Sequence, residues 1–156
     1  MSDPPVDHIG LVTRGIAFAL DAAVVNVVAI VVAAGIALVL SVVDVSGDLD
    51  PWIAGFAGAA FVGWTILYFV VFWSTTGQTP GDRLMRIRVC RAEDGNVLPP
   101  HSSLVRYAGL VLSAIPLFAG FLPILFDRRR RGVHDMLAGT VVVGVKRVST
   151  EQAVQR

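Results

Sequence analysis

Three charged residues that stand in or beside apolar segments carry the strongest chemical signal in this chain of 156 residues. Arg14 and Asp21 belong to the stretch TRGIAFALDAAVV, whose other side chains are compatible with lipid. Asp135 belongs to GVHDMLAG, directly after a run of four arginines. A carboxylate in an apolar helix costs free energy unless it has a partner, so these residues indicate either an ion path or a structural pair.

Arg14 and Asp21 are not expected to form a salt bridge with each other. Seven residues place them on nearly the same helix face but about 10.5 Å apart along the axis. Side chains lean toward the helix N-terminus, so Arg14 leans away from Asp21. Each therefore needs a partner from downstream: Arg83 or Arg106 for Asp21, and Asp135 for Arg14. We predict a buried network of these five residues, and the alternative is that Asp21 carries a cation or a proton.

Other residue types that could support chemistry are few. His134 precedes Asp135 and is a supporting candidate for the network. The histidines His8, His101 and His134 are not spaced as ligands on one helix, and Cys90 is the only cysteine, so we predict no metal or other cofactor. The sequence contains no nucleophile elbow, no P-loop and no carboxylate pair beside a histidine base, so we expect no enzyme.

The densest positive charge lies in one run of four residues: Arg128, Arg129, Arg130 and Arg131. Beside a membrane, each such cation contributes about 1 kcal/mol of attraction to anionic lipid headgroups. Anionic lipid is therefore a candidate partner, and the alternative is that the run only sets the topology of the chain. Aromatic residues are not interleaved with these arginines, which argues against a nucleic-acid partner.

The elements that position these residues are long apolar helices. Hydrophobic residues make up 54% of the chain and charged residues only 16%, which is unusual for a soluble domain. Residues 15–43 and 52–73 each exceed the roughly 20 residues that cross a bilayer. Twelve of the 13 Lys and Arg residues follow the second apolar segment, and the loop between the two is acidic. The bias of positive charge predicts that the N-terminus and the segment after residue 73 are cytoplasmic.

A third apolar element, 104–126, lies between two candidate strands. RIRVCR (86–91) and TVVVGVKRV (140–148) are rich in β-branched residues, and we expect them to pair. A single crossing by the third element would place them on opposite sides of the membrane. Pro116 and Gly120 instead favour a re-entrant or surface-lying helical hairpin over a third span. The predicted fold is an all-α membrane protein with two spans, this Pro-broken element and a small cytoplasmic two-strand β element.

Three stretches together resemble the RDD family of small bacterial membrane proteins, named for one arginine and two aspartates. They are TRGIAFALD, GQTPGDRLMRIRV and FDRRRRGVHDMLAGTVVV. By position, Arg14, Asp21 and Asp135 match the naming residues. Asp82 and Arg86 stand where the family more often has a lysine and a glycine.

The resemblance implies a multi-pass protein of the bacterial inner membrane. It implies a cytoplasmic tail over 1–13, a membrane domain over 14–146 and a flexible C-terminal tail over 147–156. Two functions stay open. One is an accessory or scaffolding subunit, either a homo-oligomer or part of a larger complex, which the small-residue ridge of Gly55, Ala59 and Gly63 favours. The other, linked to some family members, is a cation (sodium)–proton antiporter that acts as a homo-oligomer.

Overall fold

The computed structural model describes residues 9–42, 51–115 and 119–145 of the chain. In chain order the elements are α1 (Leu11–Val42), α2 (Pro51–Thr75), α3 (Pro80–Leu84), β1 (Ile87–Arg91), α4 (Pro100–Ala114), a 3-10 turn (Ala119–Phe121), α5 (Pro123–Phe126), α6 (Val133–Ala138) and β2 (Thr140–Gly144). The acidic loop 44–50, most of the predicted N-terminal tail and the predicted C-terminal tail lie outside the described residues.

The two predicted spans are confirmed as long apolar helices. Residues Leu11–Val42 and Trp52–Thr75 are both long and apolar enough to cross a membrane. α1 begins at Leu11, four residues before the apolar segment 15–43, and includes Arg14. The helix can begin this early because the preceding backbone is held by the sheet: the Ile9 N–H donates to the carbonyl oxygen of Val142 at 3.2 Å.

The two long helices are buried at one end only. The buried residues of α1 are Ala17, Asp21 and Val25, which recur every four residues and so form one stripe along its N-terminal half. We call the packed region the folded base: residues 9–25, the end of α2 from residue 68, and all the elements that follow. The remaining parts, 26–42 and 52–67, contain no buried residue and are called the distal halves.

Aromatic side chains form the centre of the folded base. The ring of Phe69 stacks on Phe18 of α1 with a centroid distance of 5.9 Å. It also lies 5.0 Å from the Trp73 ring and 5.8 Å from the Tyr107 ring of α4. Rings of this size bury large apolar areas, so this cluster joins α1, α2 and α4 into one core.

The predicted pairing of the two strands is confirmed. β1 and β2 form an antiparallel two-stranded sheet in which Ile87 is opposite Gly144 and Arg91 is opposite Thr140. The side chains of Val89 and Val142 are directly opposite each other and lie in the hydrophobic core. An isolated strand pair is marginal in water, so the packing of this apolar face against the helices stabilises it.

The third apolar element is broken, as Pro116 and Gly120 predicted. α4 begins at Pro100 rather than at residue 104 and has 15 residues, which correspond to a length of about 22 Å. Pro116 itself lies outside the described residues, but Gly120 belongs to the 3-10 turn and is packed so closely on Ser113 of α4 that a Cβ atom would clash with it. The chain therefore folds back along α4 and returns to the sheet through α6.

Candidate functional site: two buried aspartates

Asp135 lies at the centre of a charged cluster that we call the Asp135 site. Its side chain is fully buried. Oδ2 accepts hydrogen bonds from Arg14 Nη1 at 2.5 Å and from the Gly132 N–H at 3.0 Å. Oδ1 accepts from Arg106 Nη1 and from the Thr140 hydroxyl. The predicted pair of Arg14 and Asp135 is thus present in the structure, and a second arginine shares the same carboxylate.

Local sequence explains why Asp135 points inward. α6 begins at Val133, and Asp135 is its third residue, the position from which a carboxylate reaches back to the N–H of the capping residue, here Gly132. Gly139 ends the helix with a φ of 65°, a left-handed conformation that glycine adopts without steric cost. The chain then enters β2 at once, which places Thr140 beside the carboxylate.

Arg106 differs from its predicted role. It was a candidate partner for Asp21, but it donates to Asp135 and, at 2.8 Å, to the hydroxyl of Thr140. The reason is that α4 packs lengthwise against α6, so the buried face of α4 lies opposite the start of α6. The guanidinium also stands 4.9 Å from the centre of the Trp73 ring, which is a favourable cation–π geometry.

Arg14 donates entirely to segments near the sheet. Besides Asp135, its Nη2 donates to the carbonyl oxygen of Arg130 at 2.7 Å and its Nε to the carbonyl oxygen of Ile9 at 3.1 Å. The side chain is 10% exposed. The side chain of Arg14, at the start of α1, therefore connects three parts of the chain by hydrogen bonds: the segment before α1, the loop that contains Arg130, and α6.

Asp21 has only uncharged hydrogen-bond donors, and we call this cluster the Asp21 site. The side chain is 2% exposed. It accepts from the Tyr68 hydroxyl at 2.8 Å, from the Thr79 hydroxyl at 2.5 Å and from the Gly81 N–H at 2.8 Å. The predicted partners Arg83 and Arg106 were wrong, because the three donors to the carboxylate are neutral and no cation lies within salt-bridge distance of it in the described residues.

The close approach of α3 to α1 requires a glycine at position 81. A Cβ atom there would overlap the carbonyl oxygen of Ala17 and would lie 2.8 Å from Asp21 Oδ2. The side chain of Arg83, two residues later, is exposed and points away from the network. This follows from the 100° turn per residue: since Gly81 and Asp82 are buried, the next residue faces outward.

Sequence reasoning missed the capping roles of two residues at the start of α3. Thr79 caps the helix, and Asp82 completes a capping box, because Thr79 N–H donates to Asp82 Oδ2 at 3.1 Å and Asp82 N–H donates to the Thr79 hydroxyl at 3.1 Å. Burial raises the pKa of Asp82, the hydrogen bonds from Thr79 oppose this rise, and the negative charge of Asp21 adds to it. The spacing Thr-x-x-Asp was the signal that could have identified both.

His134 lies beside the Asp135 site but is not part of its charge pairing. It is 2% exposed, its Nε2 is 3.7 Å from Asp135 Oδ2, and its ring packs against Phe121. Burial, together with the positive charges of Arg106 and Arg14, lowers the pKa of His134 to about 2. The imidazole is therefore neutral at physiological pH. Among the described residues, no group of three His, Cys, Asp or Glu side chains could hold a metal ion.

The arginine run is divided by the fold. Arg128, Arg129 and Arg130 are exposed. Arg131 is partly buried and forms an ion pair with Asp127, with 3.0 Å between Nε and Oδ2. Contact of the three exposed side chains with anionic lipid stays a prediction.

A cavity of about 590 Å³ lies in the folded base. Its ionisable lining residues are Arg14, Asp21, Asp82, Arg106 and His134. The rest of the wall is apolar and comes from α1, α2, α4, the sheet and the 3-10 turn. Of the three family-naming residues, Arg14 and Asp21 thus line the cavity, and Asp135 pairs with Arg14.

Two long apolar helices, closed at one end by a small sheet and buried arginine–aspartate contacts, define a mostly helical protein of membrane type. A sequence model of the RDD family matches residues 9–139. The chain belongs to the RDD family, which confirms the resemblance seen in the sequence.

Three relatives show how far this likeness extends. The chain is 28% identical over 99 residues to the proline-rich antigen homolog of Mycobacterium tuberculosis, both in strain CDC 1551 / Oshkosh and in strain H37Rv; this covers 64% of the chain and 40% of each relative. It is 29% identical over 76 residues to an uncharacterized protein of Rickettsia prowazekii, which covers 49% of the chain and 42% of that relative. The chain thus spans about two fifths of the length of these relatives. No solved structure matches it.

Proposed function

We propose that the protein is an accessory or scaffolding subunit of the bacterial inner membrane that assembles through its distal halves and has no catalytic activity of its own. The N-terminus and the folded base lie on the cytoplasmic side. Support for this orientation comes from the charge distribution, because 12 of 13 Lys and Arg residues follow α2 and the loop between the two spans is acidic.

The third apolar element is re-entrant or interfacial in this proposal. α4 is about 22 Å long, which is less than the roughly 30 Å of a hydrocarbon core. The pairing of β1 with β2 supports a return to the starting side, since the two strands flank this element in the chain. Non-helical backbone at membrane depth must be packed against protein, and the close contact of Gly120 with Ser113 meets that requirement.

The observation that carries the proposal is a contrast between two groups of glycines. In the folded base, Gly81, Gly109 and Gly132 each lie against other parts of the chain so closely that a Cβ atom would press on a neighbour. On the distal half of α2, Gly55 and Gly63 have nothing within 4 Å of the place where a Cβ atom would be. Small residues at this spacing let membrane helices approach closely, so we assign the Gly55–Ala59–Gly63 ridge to contact with a second copy of α2.

Cysteine cross-linking tests this assignment. In a Cys90→Ser background, Ala59→Cys should form a disulfide-linked dimer when native membranes are oxidised with copper phenanthroline. Phe61→Cys is the matched control, because position 61 is exposed and lies about 200° around the helix from position 59. Adding Gly63→Leu to Ala59→Cys should abolish the dimer. Equal dimer yields at positions 59 and 61, or none at either, would remove the ridge as a self-contact.

Antiport is the second candidate, and one observation favours it. Asp21 is a buried carboxylate at the base of α1, it lines the cavity, and its hydrogen-bond donors in the described chain are all neutral. Intramembrane carboxylates of this kind carry protons or cations in many transporters. Two spans are too few to enclose a pathway, so transport would require a homo-oligomer.

Sodium-dependent proton flux in proteoliposomes tests the antiport candidate. Wild type should exchange sodium for protons, Asp21→Asn should not, and Asp94→Asn, an exposed carboxylate in the turn after β1, should match the wild type. Absence of flux in the wild type would exclude antiport, and equal flux in Asp21→Asn would remove Asp21 from the mechanism.

A further inference from the structure

We infer that the cavity of the folded base is a binding site for one acyl chain of a membrane amphiphile, whose carbonyl group lies at Trp73 and Arg106. This site is independent of assembly through the distal halves. It requires only that the protein resides in a membrane.

The apolar wall of the cavity suits an alkyl chain. Phe18 of α1, Phe69 of α2 and Leu110 of α4 contribute to it, together with Leu122, which follows the 3-10 turn. The volume of about 590 Å³ lies within the range of roughly 300–1,000 Å³ that is typical of sites for small organic ligands. A chain of methylene groups would gain dispersion contacts with this surface and would need no hydrogen-bond partner from it.

Three residues of the wall each carry a buried polar atom that has no hydrogen-bond partner, and we use them to place the other end of the ligand. Trp73 Nε1, Arg106 Nε and His134 Nδ1 are buried and make no hydrogen bond in the described part of the chain. All three residues line the cavity, and each is at most 4% exposed. The indole and guanidinium N–H groups can only donate, so the group that satisfies them must supply an acceptor oxygen.

The two donors belong to neighbouring side chains, and we assign them to one oxygen-bearing group. The guanidinium carbon of Arg106 stands 4.9 Å from the centre of the Trp73 ring, so the two side chains are adjacent in the wall. Nη1 of Arg106 is already committed to Asp135 and Thr140, which leaves Nε for a ligand. A carbonyl oxygen at the end of an acyl chain has the size and the lone pairs for this position.

The charges near the cavity favour an ester over a free carboxylate. Both arginines share the carboxylate of Asp135, and Asp21 and Asp82 line the same cavity. Little net positive charge is therefore left for an anionic head. Phe18 is 42% exposed and Leu122 is 54% exposed at the border of the cavity, which gives a chain of a bilayer lipid a lateral entrance.

Tryptophan quenching tests the site directly. In a Trp52→Phe/Trp64→Phe variant in detergent micelles, Trp73 is the only tryptophan, and it is 4% exposed. Brominated phosphatidylcholine should quench its emission saturably, and unlabelled phosphatidylcholine should reverse the quenching. A parallel titration with dibromostearate tests whether a free fatty acid binds in place of an ester lipid. Trp64, which is 37% exposed on α2, is the reporter for bulk lipid in a Trp52→Phe/Trp73→Phe variant and should be quenched without saturation.

A pair of substitutions on α4 assigns the binding to the cavity. Ala114 lines it, whereas Ala108 is exposed on another face of the same helix. Ala114→Phe should weaken the apparent affinity about tenfold or more, and Ala108→Phe should leave it unchanged.

Three results would overturn the inference. The first is quenching of Trp73 that rises linearly with lipid, as for Trp64. The second is an equal effect of Ala114→Phe and Ala108→Phe. The third is a failure of unlabelled lipid to reverse the quenching in the parent variant. This competition tests the site on its own if near-UV circular dichroism shows that Ala114→Phe does not fold. Saturable quenching by dibromostearate alone would assign the site to free fatty acids.

Discussion

Asp21 and Asp135 are both buried carboxylates in the folded base, but they differ in the charge of their partners. Asp135 accepts from two arginines, Arg14 and Arg106. Asp21 accepts from two hydroxyls and one backbone N–H. The first site joins α1, α4 and α6 by charge, and the second joins α1, α2 and α3 by neutral hydrogen bonds.

We expect this difference to separate the roles of the two carboxylates. The carboxylate of Asp135 pairs with the buried Arg106 and the partly buried Arg14, so we expect its role to be structural. No cation in the described residues lies within salt-bridge distance of Asp21, and this is the observation on which the antiport candidate rests. The predictions below test whether this contrast holds.

The largest effect is expected for Asp135→Asn. The substitution removes the carboxylate that forms the salt bridges with Arg106, which is buried, and Arg14, which is partly buried, and we expect it to cost about 3–5 kcal/mol of unfolding free energy. Asp21→Asn removes a charge but no cation loses its partner, and the expected cost is about 1–3 kcal/mol. Unfolding in mixed micelles by titration with SDS, followed by circular dichroism, measures both. Equal costs would break the comparison.

An intermediate effect is expected for Gly81→Ala, which tests the backbone contact at the Asp21 site. A methyl group at this position would push α3 away from Ala17 and Asp21, at an expected cost of about 1–3 kcal/mol. Gly58→Ala is the matched control, because it lies in α2 with nothing within 4 Å. That control should be neutral or stabilise the helix by up to about 1 kcal/mol in the same measurement. A harmless Gly81→Ala would show that the close approach is not needed.

The smallest effect is a pH dependence next to the Asp135 site. The pKa of His134 is about 2 in the folded chain, whereas an unperturbed histidine has a pKa of about 6.5. As the pH falls below about 6.5, the unfolded chain binds the proton first, so the unfolding free energy should fall by up to about 1.4 kcal/mol per pH unit. Above that pH the histidine is neutral in both states and contributes no slope.

The His134 slope is measured by repeating the unfolding titration between about pH 6.5 and 5. His134→Gln should remove it, whereas His101→Gln, an exposed residue of α4, should retain it. A slope that persists in His134→Gln would mean that another group near Arg14, Arg106 or Asp135 titrates in this window.

Much of the fold was predictable from the sequence. The two long helices follow from continuous apolar stretches, and the strand pair follows from two short segments rich in β-branched residues. The break in the third apolar element follows from Pro116 and Gly120. These are local properties of composition and backbone, so they need no knowledge of tertiary packing.

The backbone geometry at Arg86 explains a departure from the family pattern that was visible in the sequence. It stands where the family more often has a glycine, and its φ is 54°, in the left-handed region that favours glycine. Its side chain is exposed, so packing in the core does not restrict the residue type at this position. The family preference therefore reflects the turn between α3 and β1 rather than a contact of the side chain.

The partners of the charged residues were only partly predictable. Helix geometry was enough to exclude a salt bridge between Arg14 and Asp21. The pair of Arg14 and Asp135 could be proposed because both were predicted to lie on the same side of the membrane. The assignment of Arg106 to Asp135, and of Tyr68, Thr79 and Gly81 to Asp21, depends on how α4 docks on α6 and how closely α3 approaches α1.

The sequence by itself thus determined the class of protein, the long helices, the strand pair and which charged residues had to be matched. Only the tertiary structure decided which donor reaches which carboxylate and that residues of both sites line one cavity. The physical reason is that apolar length and β-branched patterns act within a segment, whereas a hydrogen bond between distant residues is set by packing distances of a few tenths of an ångström.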